Sequence, residues 1–427
     1  MSLATPRKGY KSVSNFFRNE IQIPEDWDYP KFHQIVKTNP YTKIEEKRVP
    51  YIPMDAVDTE KPHFNYSEER ELSDNPSLSK FQNNDTLFAR ITPSTENGKT
   101  CIVENFEHRG IVSSELTVLR TTEQIIPKYL YYYVKSHRIR QFAISQMLGT
   151  TGRQRVPDYV FKKDLNIELP PLQEQQKIAN ILSNVDNLIE STGKVITHSK
   201  KVKTGLMQKL LTRGIGHTKF KKVQWLFGKE IDIPEEWENV NVEYVTDKLL
   251  SGGTPSTTIA EYWEGNIPWT KGAVLTTNNT TKGEKFISEL GLKNSSTSII
   301  SKDNLLVVSR VSIGNISINK IDIAINQDIT AVILNKTICL TDFLYWNLLQ
   351  TINILVSFSQ GTTIQGFTRK DLSSHKVLLP PLPEQQKIAT ILSNIDSKIT
   401  SQEQYKEKLQ KLKKSLMQKL LTGEVRV

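Results

Sequence analysis

A segment of 22 residues occurs twice in this chain, as Leu169–Glu190 and as Leu379–Thr400, with 16 identical positions at a constant offset of 210. The same offset relates Phe17–Trp27, which ends in I-P-E-D-W, to Phe227–Trp237, which ends in I-P-E-E-W. Solenoid repeats have periods of about 20–50 residues. A repeat of 210 residues therefore predicts a whole half-molecule that is used twice.

Each copy of the 22-residue segment predicts a long helix. Two prolines precede it, and a glutamate (Glu174 or Glu384) falls in the first turn, where the helix dipole favours a negative charge. Apolar residues follow at helical spacing, and positions seven apart stay in register, which is typical of a coiled coil. At about 1.5 Å per residue, a helix of about 40 residues is on the order of 60 Å long. We assign helix pairing and partner binding to the apolar residues Ile178, Ile181, Leu182, Val185, Leu188, Ile388, Ile391, Leu392, Ile395 and Ile399.

The alternative for these helices is an ordinary core helix that packs only against its own domain. Their length and their duplication favour the paired arrangement. Two equal halves joined head to tail predict a pseudo-two-fold molecule, in which the two helices pack antiparallel and one globular block lies at each end.

The repeat also predicts the domain boundaries. The variable blocks resemble each other weakly, in the order of their short motifs more than in their sequence. The predicted segments are an N-terminal segment that pairs with the second half (1–27), a first variable block (28–168), a first spacer helix (169–213), a linker (214–237), a second variable block (238–378), and a second spacer helix with a C-terminal tail (379–427).

Short motifs recur in the same order in the two blocks. Phe88-Ala89-Arg90-Ile91 parallels Val308-Ser309-Arg310-Val311, Ser114-Glu115-Leu116-Thr117 parallels Gln327-Asp328-Ile329-Thr330, and Gly149-Thr150-Thr151 parallels Gly361-Thr362-Thr363. The first block predicts short strands in R-V-P-Y-I-P-M-D-A-V, D-T-L-F-A-R-I, T-C-I-V-E-N-F and S-S-E-L-T-V-L-R, separated by turn residues. It also predicts one helical run, Pro127–Met147.

Composition bounds the function. The chain has 427 residues and a formal net charge of +10, which suggests a polyanionic partner. Its two cysteines, Cys101 and Cys339, predict buried thiols in a reducing cytoplasm rather than a disulfide framework. The first twelve residues lack the apolar core of a signal peptide, and no apolar stretch of about 18 residues predicts a membrane span.

Catalytic motifs are weak or missing. The sequence has no G-x-G-x-x-G and no phosphate-binding loop. Thr38-Asn39-Pro40-Tyr41 is similar to the tetrapeptide of amino-methyltransferases but has one proline, so a turn is the better interpretation. Val156-Pro157-Asp158 lacks the acid-x-lysine spacing of a nuclease, and the seven histidines show no metal-ligand spacing.

DNA recognition needs cations for phosphates and Arg, Lys, Asn or Gln for base edges. Both blocks place such residues in turns, and the alternative for each is a solvated surface side chain. The tyrosines 131–133 favour core packing on a helix over base stacking. The candidate DNA-binding residues are Arg90, Lys99, Arg109, Thr150, Thr151, Arg153, Gln154 and Arg155 in the first block, and Thr254, Ser256, Lys271, Arg310, Thr362, Thr363, Gln365, Arg369 and Lys370 in the second.

The doubled pattern of I-P-E-x-W, a variable block, L-P-P-L-x-E-Q-Q-K-I-A-x-I-L-S-x-x-D and L-M-Q-K-L-L-T resembles the specificity subunit of Type I restriction–modification systems. The resemblance extends from about Phe17 to Thr422. Gly253-Thr254-Pro255-Ser256 and Ile267-Pro268-Trp269 resemble the opening of a target-recognition domain. The first block departs from this opening, because it lacks G-x-T-P-S.

The resemblance implies a non-catalytic subunit with an α+β fold, in which two mixed α/β target-recognition domains are separated by the two antiparallel coiled-coil helices. Each domain would read one half of an asymmetric bipartite site in double-stranded DNA. The helices would set the gap and bind two methyltransferase subunits, and two restriction (motor-nuclease) subunits would complete the complex. S-adenosylmethionine, ATP and magnesium would bind to those partners, and this chain would hold no cofactor and no metal.

Two alternatives remain at this point. The first is a coiled-coil adaptor whose end domains bind proteins, which would form complexes that are insensitive to salt. Specific DNA binding would instead weaken steeply as salt increases. The second is a self-contained methyltransferase, which would bind S-adenosylmethionine by itself.

Overall fold

The computed structural model describes residues 7–16, 19–74, 77–150, 152–357 and 366–427. Its contacts divide the chain into a first unit, Met1–Val195 with Gln402–Val427, and a second unit, Ile196–Ser401. Each unit therefore contains one variable block together with parts of both long helices.

The first unit is built on two four-stranded sheets and a hairpin. The sheets have the strand orders β3-β10-β7-β8 and β5-β4-β9-β6, and the hairpin is β1-β2. All neighbouring strands in them are antiparallel except β4 and β9. The elements are β1 (Tyr10–Ser14), β2 (Glu20–Pro24), α1 (Phe32–Ile35), β3 (Val36–Thr38), β4 (Arg48–Ile52), β5 (Glu68–Glu71), β6 (Lys80–Phe81), β7 (Thr86–Ala89), β8 (Thr100–Ile102), β9 (Gly110–Val112), β10 (Leu116–Thr121), α2 (Pro127–Lys135), α3 (His137–Ser145) and the beginning of α4 (Leu172–Arg213).

The four strand predictions of the first block correspond to β4, β7, β8 and β10. The single helix predicted over Pro127–Met147 is wrong, because the backbone leaves the helix at Ser136 (φ −58°, ψ 147°) and α3 begins at the next residue. The tyrosines 131–133 are buried in the core, as the sequence favoured. Cys101 and Cys339 are both buried free thiols.

The second unit repeats this plan with one five-stranded sheet and one four-stranded sheet. The strand orders are β14-β22-β19-β20-β16 and β17-β15-β21-β18, with the pairs β11-β12 and β13-β23. The hairpin β11-β12 lies 210 residues after β1-β2. The elements are β11 (Phe220–Gln224), β12 (Glu230–Pro234), β13 (Glu238–Asn241), β14 (Thr246–Ser251), β15 (Ile267–Thr270), β16 (Asn279–Thr280), β17 (Lys285–Ile287), α5 (Glu289–Lys293), β18 (Ser298–Ile300), β19 (Leu305–Val308), β20 (Ile316–Asn319), β21 (Ile323–Ile325), β22 (Ile329–Leu334), α6 (Thr341–Ser357), α7 (Arg369–Ser374), β23 (Lys376–Leu379) and the beginning of α8 (Leu382–Leu420).

The long helices α4 and α8 pack antiparallel within each unit. In the first unit, Ile178 and Leu182 of α4 share a core with Leu420 of α8, and Asp186 pairs with Lys413. In the second unit, Leu210 of α4 shares a core with Ile388 and Leu392 of α8, and Lys203 pairs with Asp396. Early residues of one helix thus meet late residues of the other in both units.

The buried stripe follows the predicted heptads at Ile178, Leu182, Val185, Ile388, Leu392 and Ile399. Leu188 is 46% exposed and Ile391 is 38% exposed. The prediction of helix pairing is therefore wrong for Leu188 and Ile391, because they lie on the outer face of their helices. Ile181 and Ile395 are partly buried, and Ile181 packs against the core of the first unit.

The tryptophan of each I-P-E-x-W motif is held by the glutamate of the following long helix. Trp27 Nε1 donates to Glu174 Oε2 at 2.9 Å, and Trp237 Nε1 donates to Glu384 Oε2 at the same distance. Both indoles are fully buried. This contact explains why the two motifs occur together in each half of the sequence.

The glutamine that follows each of these glutamates fixes the loop before a core helix. Gln175 accepts from the N–H of Ile126 and donates to the carbonyl of Gln124. Gln385 accepts from the N–H of Leu340 and donates to the carbonyl of Ile338. Because buried backbone groups need partners, the repeated E-Q-Q is a structural motif that joins each block to its long helix.

Glu384→Ala is expected to lower the free energy of unfolding of the second unit by about 1–3 kcal/mol, since it leaves the N–H of the buried Trp237 indole unpaired. The Glu384 carboxylate accepts hydrogen bonds from the Trp237 indole and from the backbone N–H of Ile215. It also lies 2.9 Å from His217 Nε2. Urea denaturation followed by tryptophan fluorescence measures this change, because five of the six tryptophans lie in the second unit. The control is Glu235→Ala in the neighbouring motif, where the side chain is exposed. Equal losses in both variants would contradict the role of Glu384.

Candidate nucleic-acid interface

Several predicted DNA-binding residues of the first unit meet at the end of strand β7. Arg90 follows this strand, and its N–H donates to the carbonyl of Glu115 at 2.9 Å. The loop that contains Gln154 and Arg155 returns to the same place, because the N–H of Thr92 donates to the carbonyl of Gln154 at 3.0 Å. We call Arg90, Glu115, Gln154 and Arg155 the first strand-end cluster.

The arginines of this cluster are paired with carboxylates. Arg155 makes a bidentate ion pair with Glu115, at 2.5 Å for Nη2–Oε1 and 2.9 Å for Nε–Oε2. The Arg155 guanidinium lowers the pKa of Glu115, so this carboxylate stays ionised. Arg90 Nη1 lies 3.0 Å from Asp158 Oδ1. A DNA base or phosphate that binds the Nε–Nη2 edge of Arg155 would therefore replace the Glu115 carboxylate.

The remaining predicted residues of the first block lie in different places. Thr150 and Arg153 are exposed on the same loop, whereas Thr151 lies outside the described residues. Lys99 Nζ donates to the carbonyl of Met54 at 3.1 Å, and the exposed Arg109 donates to the carbonyl of Lys43 at 2.9 Å. Lys99 and Arg109 thus bind the backbone of other loops.

The second unit forms a corresponding cluster around the turn 326–328. Thr254 Oγ1 donates to Gln327 Oε1 at 2.7 Å, and the N–H of Arg310 donates to the carbonyl of Asp328. The residue after Lys271, Gly272, donates its N–H to Asn326 Oδ1 at 3.3 Å. We call Thr254, Lys271, Arg310, Gln327 and Asp328 the second strand-end cluster.

Close packing of backbone explains the glycines that open the second block. A Cβ on Gly252 would lie 1.8 Å from the carbonyl oxygen of Ile325, so no side chain fits at this position. The N–H of Gly253 donates to the same carbonyl at 3.0 Å. The two glycines thereby bring Thr254 beside Gln327.

Lys271 and Arg310 differ in their surroundings. Lys271 Nζ lies 2.7 Å from Glu284 Oε1, which repeats the arginine–carboxylate pairing of the first unit. Arg310 is exposed, and the next two residues, Val311 and Ser312, have positive φ angles of 38° and 68°. A β-branched residue in the left-handed region is strained, and such strain is concentrated at functional sites.

The loop that follows α6 supplies the last group of candidates. Thr362, Thr363 and Gln365 lie outside the described residues. Gly366, the next described residue, forms a β-bridge with Arg310 of the second strand-end cluster. Arg369 and Lys370 are exposed at the start of α7 and line a shallow cavity with Lys248, whereas Ser256 Oγ contacts Thr258 Oγ1 at 2.8 Å.

Sequence reasoning missed the acidic members of both clusters. Glu115 and Asp328 occupy the same position in the parallel motifs Ser114–Thr117 and Gln327–Thr330. That match could have identified them as candidates. Lys248 gave no signal, because a single lysine in a strand pattern is not distinctive. The paired positions of Arg90 and Arg310 are the strongest common feature of the two units.

The outer faces of the long helices carry exposed apolar side chains. In the first unit these are Leu188 and Val195 on α4, and Tyr405 and Leu412 on α8. In the second unit Val202 on α4 and Ile391 on α8 are exposed. Because they recur every seven residues, the members on one helix share a face.

Within the described residues, none of the helices has the length and apolar character needed to cross a membrane. The same part of the chain contains no group of three or more His, Cys, Asp or Glu side chains arranged to hold a metal ion.

Comparison with known proteins agrees with the repeat. Residues 24–198 and 234–411 each match the family described as Type I restriction modification DNA specificity domain. The putative type I restriction enzyme MjaX specificity subunit of Methanocaldococcus jannaschii is 29% identical over 97% of both chains. The MjaVIII specificity subunit of the same organism is 28% identical over 97% of this chain and 98% of its own.

Solved structures show a similar fold. The S subunit of a Type I restriction–modification system from M. genitalium has a TM-score of 0.58 at 16% identity and covers 92% of this chain and 96% of its own. A chain from a study of assembly and conformational transition of the type I R-M system has a TM-score of 0.54 at 20% identity, with coverage of 94% and 99%.

Proposed function

This chain belongs to the Type I restriction–modification DNA specificity family, and from that premise we propose how its parts divide the work. Its function is DNA sequence specificity. In our proposal, the two units read the two halves of an asymmetric bipartite site in double-stranded DNA. The observation that carries this proposal is the pair of strand-end clusters, which occupy matching places in the two units but differ in side chains.

The chemistry of each cluster supports base reading. The first cluster offers Arg90, Gln154 and Arg155, and the second offers Thr254, Lys271 and Arg310. Arginine and lysine suit guanine, glutamine suits adenine, and threonine suits either. Because the sets differ, the half-sites are expected to differ in sequence.

The long helices set the distance between the half-sites in this proposal, as an antiparallel, pseudo-two-fold coiled coil. Their exposed apolar residues, such as Leu188 and Leu412 in the first unit and Ile391 in the second, bind methyltransferase subunits. Since the helix pair occurs once in each unit, we propose two methyltransferase subunits, and two restriction (motor-nuclease) subunits in the complete complex.

Catalysis belongs to the partners in this proposal. S-adenosylmethionine binds to the methyltransferase subunits, and ATP and magnesium bind to the restriction subunits. The specificity subunit acts in the cytoplasm, positions the DNA, and contributes no reacting group.

Methylome sequencing of cells that carry the intact system tests the function. Deletion of this chain should abolish methylation at one split motif. If no split motif disappears, the function is wrong. A salt titration separates the proposal from a protein adaptor, because the affinity of a DNA-binding complex falls steeply with salt.

Arg310→Ala in the complex with its methyltransferase is expected to weaken binding by about 1–3 kcal/mol and to relax base preference in one half-site only. The reason is that the exposed Arg310 lies in the second strand-end cluster. Electrophoretic mobility shifts with duplexes altered in one half-site measure this effect. Lys293→Ala, at an exposed position on α5 of the same unit, is the control. Relaxed preference in both half-sites would contradict the assignment of one unit to one half-site.

A further inference from the structure

A cavity of about 690 Å³ opens in the first unit between the beginning of α3 and the last turns of α8. Cavities of this size are typical of small-molecule sites. The lining combines five cationic side chains, two carboxylates and an apolar part. The cationic residues are Lys135, Arg138, Arg140, Lys413 and Lys414, the carboxylates are Glu60 and Asp186, and the apolar residues are Ile189, Met417 and Leu421.

Both carboxylates of the lining already have partners. Asp186 lies 2.5 Å from Lys413 and accepts from Tyr132 Oη at 2.7 Å. Glu60 accepts from Gln410 at 3.0 Å and lies 3.7 Å from Lys406. Of the cations, Arg138 pairs with Glu168 and Lys413 pairs with Asp186. The charge that remains in the cavity is therefore positive, on Lys135, Arg140 and Lys414.

Lys135 and Arg140 line the cavity and form no direct ion pair with a carboxylate in the described contacts, although Asp186 and Asp58 act on Lys135 at longer range. Lys135 Nζ donates to the carbonyl of Thr100 at 3.2 Å, and burial together with Lys413 lowers the pKa of Lys135 to about 8. Arg140 Nε is buried and makes no hydrogen bond. A Cβ on Gly98 would lie 2.2 Å from Arg140 Nη1, so the glycine makes room for this guanidinium.

The break between α2 and α3 adds to the positive potential. Helix α3 has nine residues and begins at His137, which lines the cavity. The N-terminal end of a helix carries a partial positive charge and suits anions. Ser136 at this end makes no side-chain capping hydrogen bond.

The second unit differs at the corresponding positions. Tyr129-Leu130-Tyr131-Tyr132 in the first block parallels Phe343-Leu344-Tyr345-Trp346 in the second. This match places Leu349 where the first unit has Lys135. Helix α6 is continuous over Thr341–Ser357, whereas the first unit has its break at Ser136. The cationic lining is thus a feature of the first unit and not a consequence of the shared fold.

We propose that this cavity binds a free organic phosphate of nucleotide size. Its phosphates contact Lys135, Arg140 and Lys414, and its base or another flat group packs against Ile189, Met417 and Leu421. A lone phosphate fills only part of the volume and leaves the apolar side uncovered. The inference is independent of DNA recognition, because neither strand-end cluster contributes a residue to the cavity.

Isothermal titration calorimetry on the full chain, with ATP, tripolyphosphate and a 12-base-pair duplex as separate probes, tests the proposal. ATP is expected to bind, and tripolyphosphate to bind more weakly. Arg140→Gln and Lys414→Gln are each expected to weaken ATP binding at least about tenfold. Lys414 is exposed, so its variant folds even if Arg140→Gln does not. The matched control is Lys408→Gln, which is exposed on α8 outside the cavity lining.

Three outcomes overturn the proposal. ATP does not bind, the Lys414→Gln variant binds ATP as tightly as the wild type, or the two variants bind the duplex more weakly while their ATP affinity is unchanged. The last outcome would assign the cavity to the DNA path. Methylation of the split motif by the wild-type complex is measured in parallel. Its absence would contradict the proposed function and would leave the ATP result unaffected.

Discussion

Lys413→Met is expected to lower the free energy of unfolding of the first unit by about 3–5 kcal/mol, because it leaves a buried carboxylate without its cation. Lys413 pairs with Asp186 at 2.5 Å, and the side chains are 12% and 6% exposed. Hydrogen exchange measured by mass spectrometry at increasing urea concentration resolves the two units by their peptides. Peptides of α2 and α3 are expected to lose protection first, since Tyr132 of α2 also binds Asp186.

The matched control is Lys411→Met on the same helix. Lys411 pairs with Glu407 at 2.6 Å, but the side chains are 76% and 62% exposed, so the expected loss is below about 1 kcal/mol. The double variant Asp186→Leu with Lys413→Met removes both charges and is expected to recover most of the lost stability. If the single and double variants are equally unstable, packing rather than charge explains the effect.

Adding one heptad to both long helices is expected to lengthen the gap of the recognised DNA site by about three base pairs and to leave both half-sites unchanged. The insertions follow Val195 in α4 and Ser401 in α8, where the two units divide each helix. Seven residues add about 10.5 Å to a helix, and the base-pair rise is about 3.4 Å. Both insertions lie at the boundary between the two units, so the contacts between α4 and α8 within each unit are retained. Methylome sequencing of cells that carry the variant reads the new gap directly.

The control for this experiment is the same heptad inserted after Glu45, in an exposed loop of the first unit. It is expected to leave the gap as it was. An altered half-site in the helix variant, or an unaltered gap with activity retained, would contradict the spacer function.

Patterns with a regular period predicted the largest elements. The proline pair, the first-turn glutamate and the heptads of Leu169–Glu190 predicted a helix that the structure begins at Leu172. Gly193 and Gly205 weaken a helix by about 1 kcal/mol each, and α4 is continuous through both. The helix stays intact because its apolar side is buried against the core of each unit.

Features that depend on contacts between distant residues did not follow from the sequence. The helix break at Ser136 could not be predicted, because no proline or glycine lies beside it in the sequence. The outer positions of Leu188 and Ile391 depend on which heptad positions face the partner helix, and two adjacent stripes fit the same spacing. Arg90, Gln154 and Arg155 were selected by chemistry. Their assembly around Glu115 depends on a distant contact, because Gln154 returns to Thr92 from much later in the chain.

In the proposed function, DNA competes for Arg155 and Lys271 with the carboxylates that already pair with them. Arg155 leaves Glu115, or Lys271 leaves Glu284, only for a group that binds at least as well. A wrong sequence supplies phosphates but few well-placed bases, and it competes poorly against a carboxylate already in position. Under this proposal, the acids suppress capture by unrelated DNA, which is the far more abundant competitor in a genome.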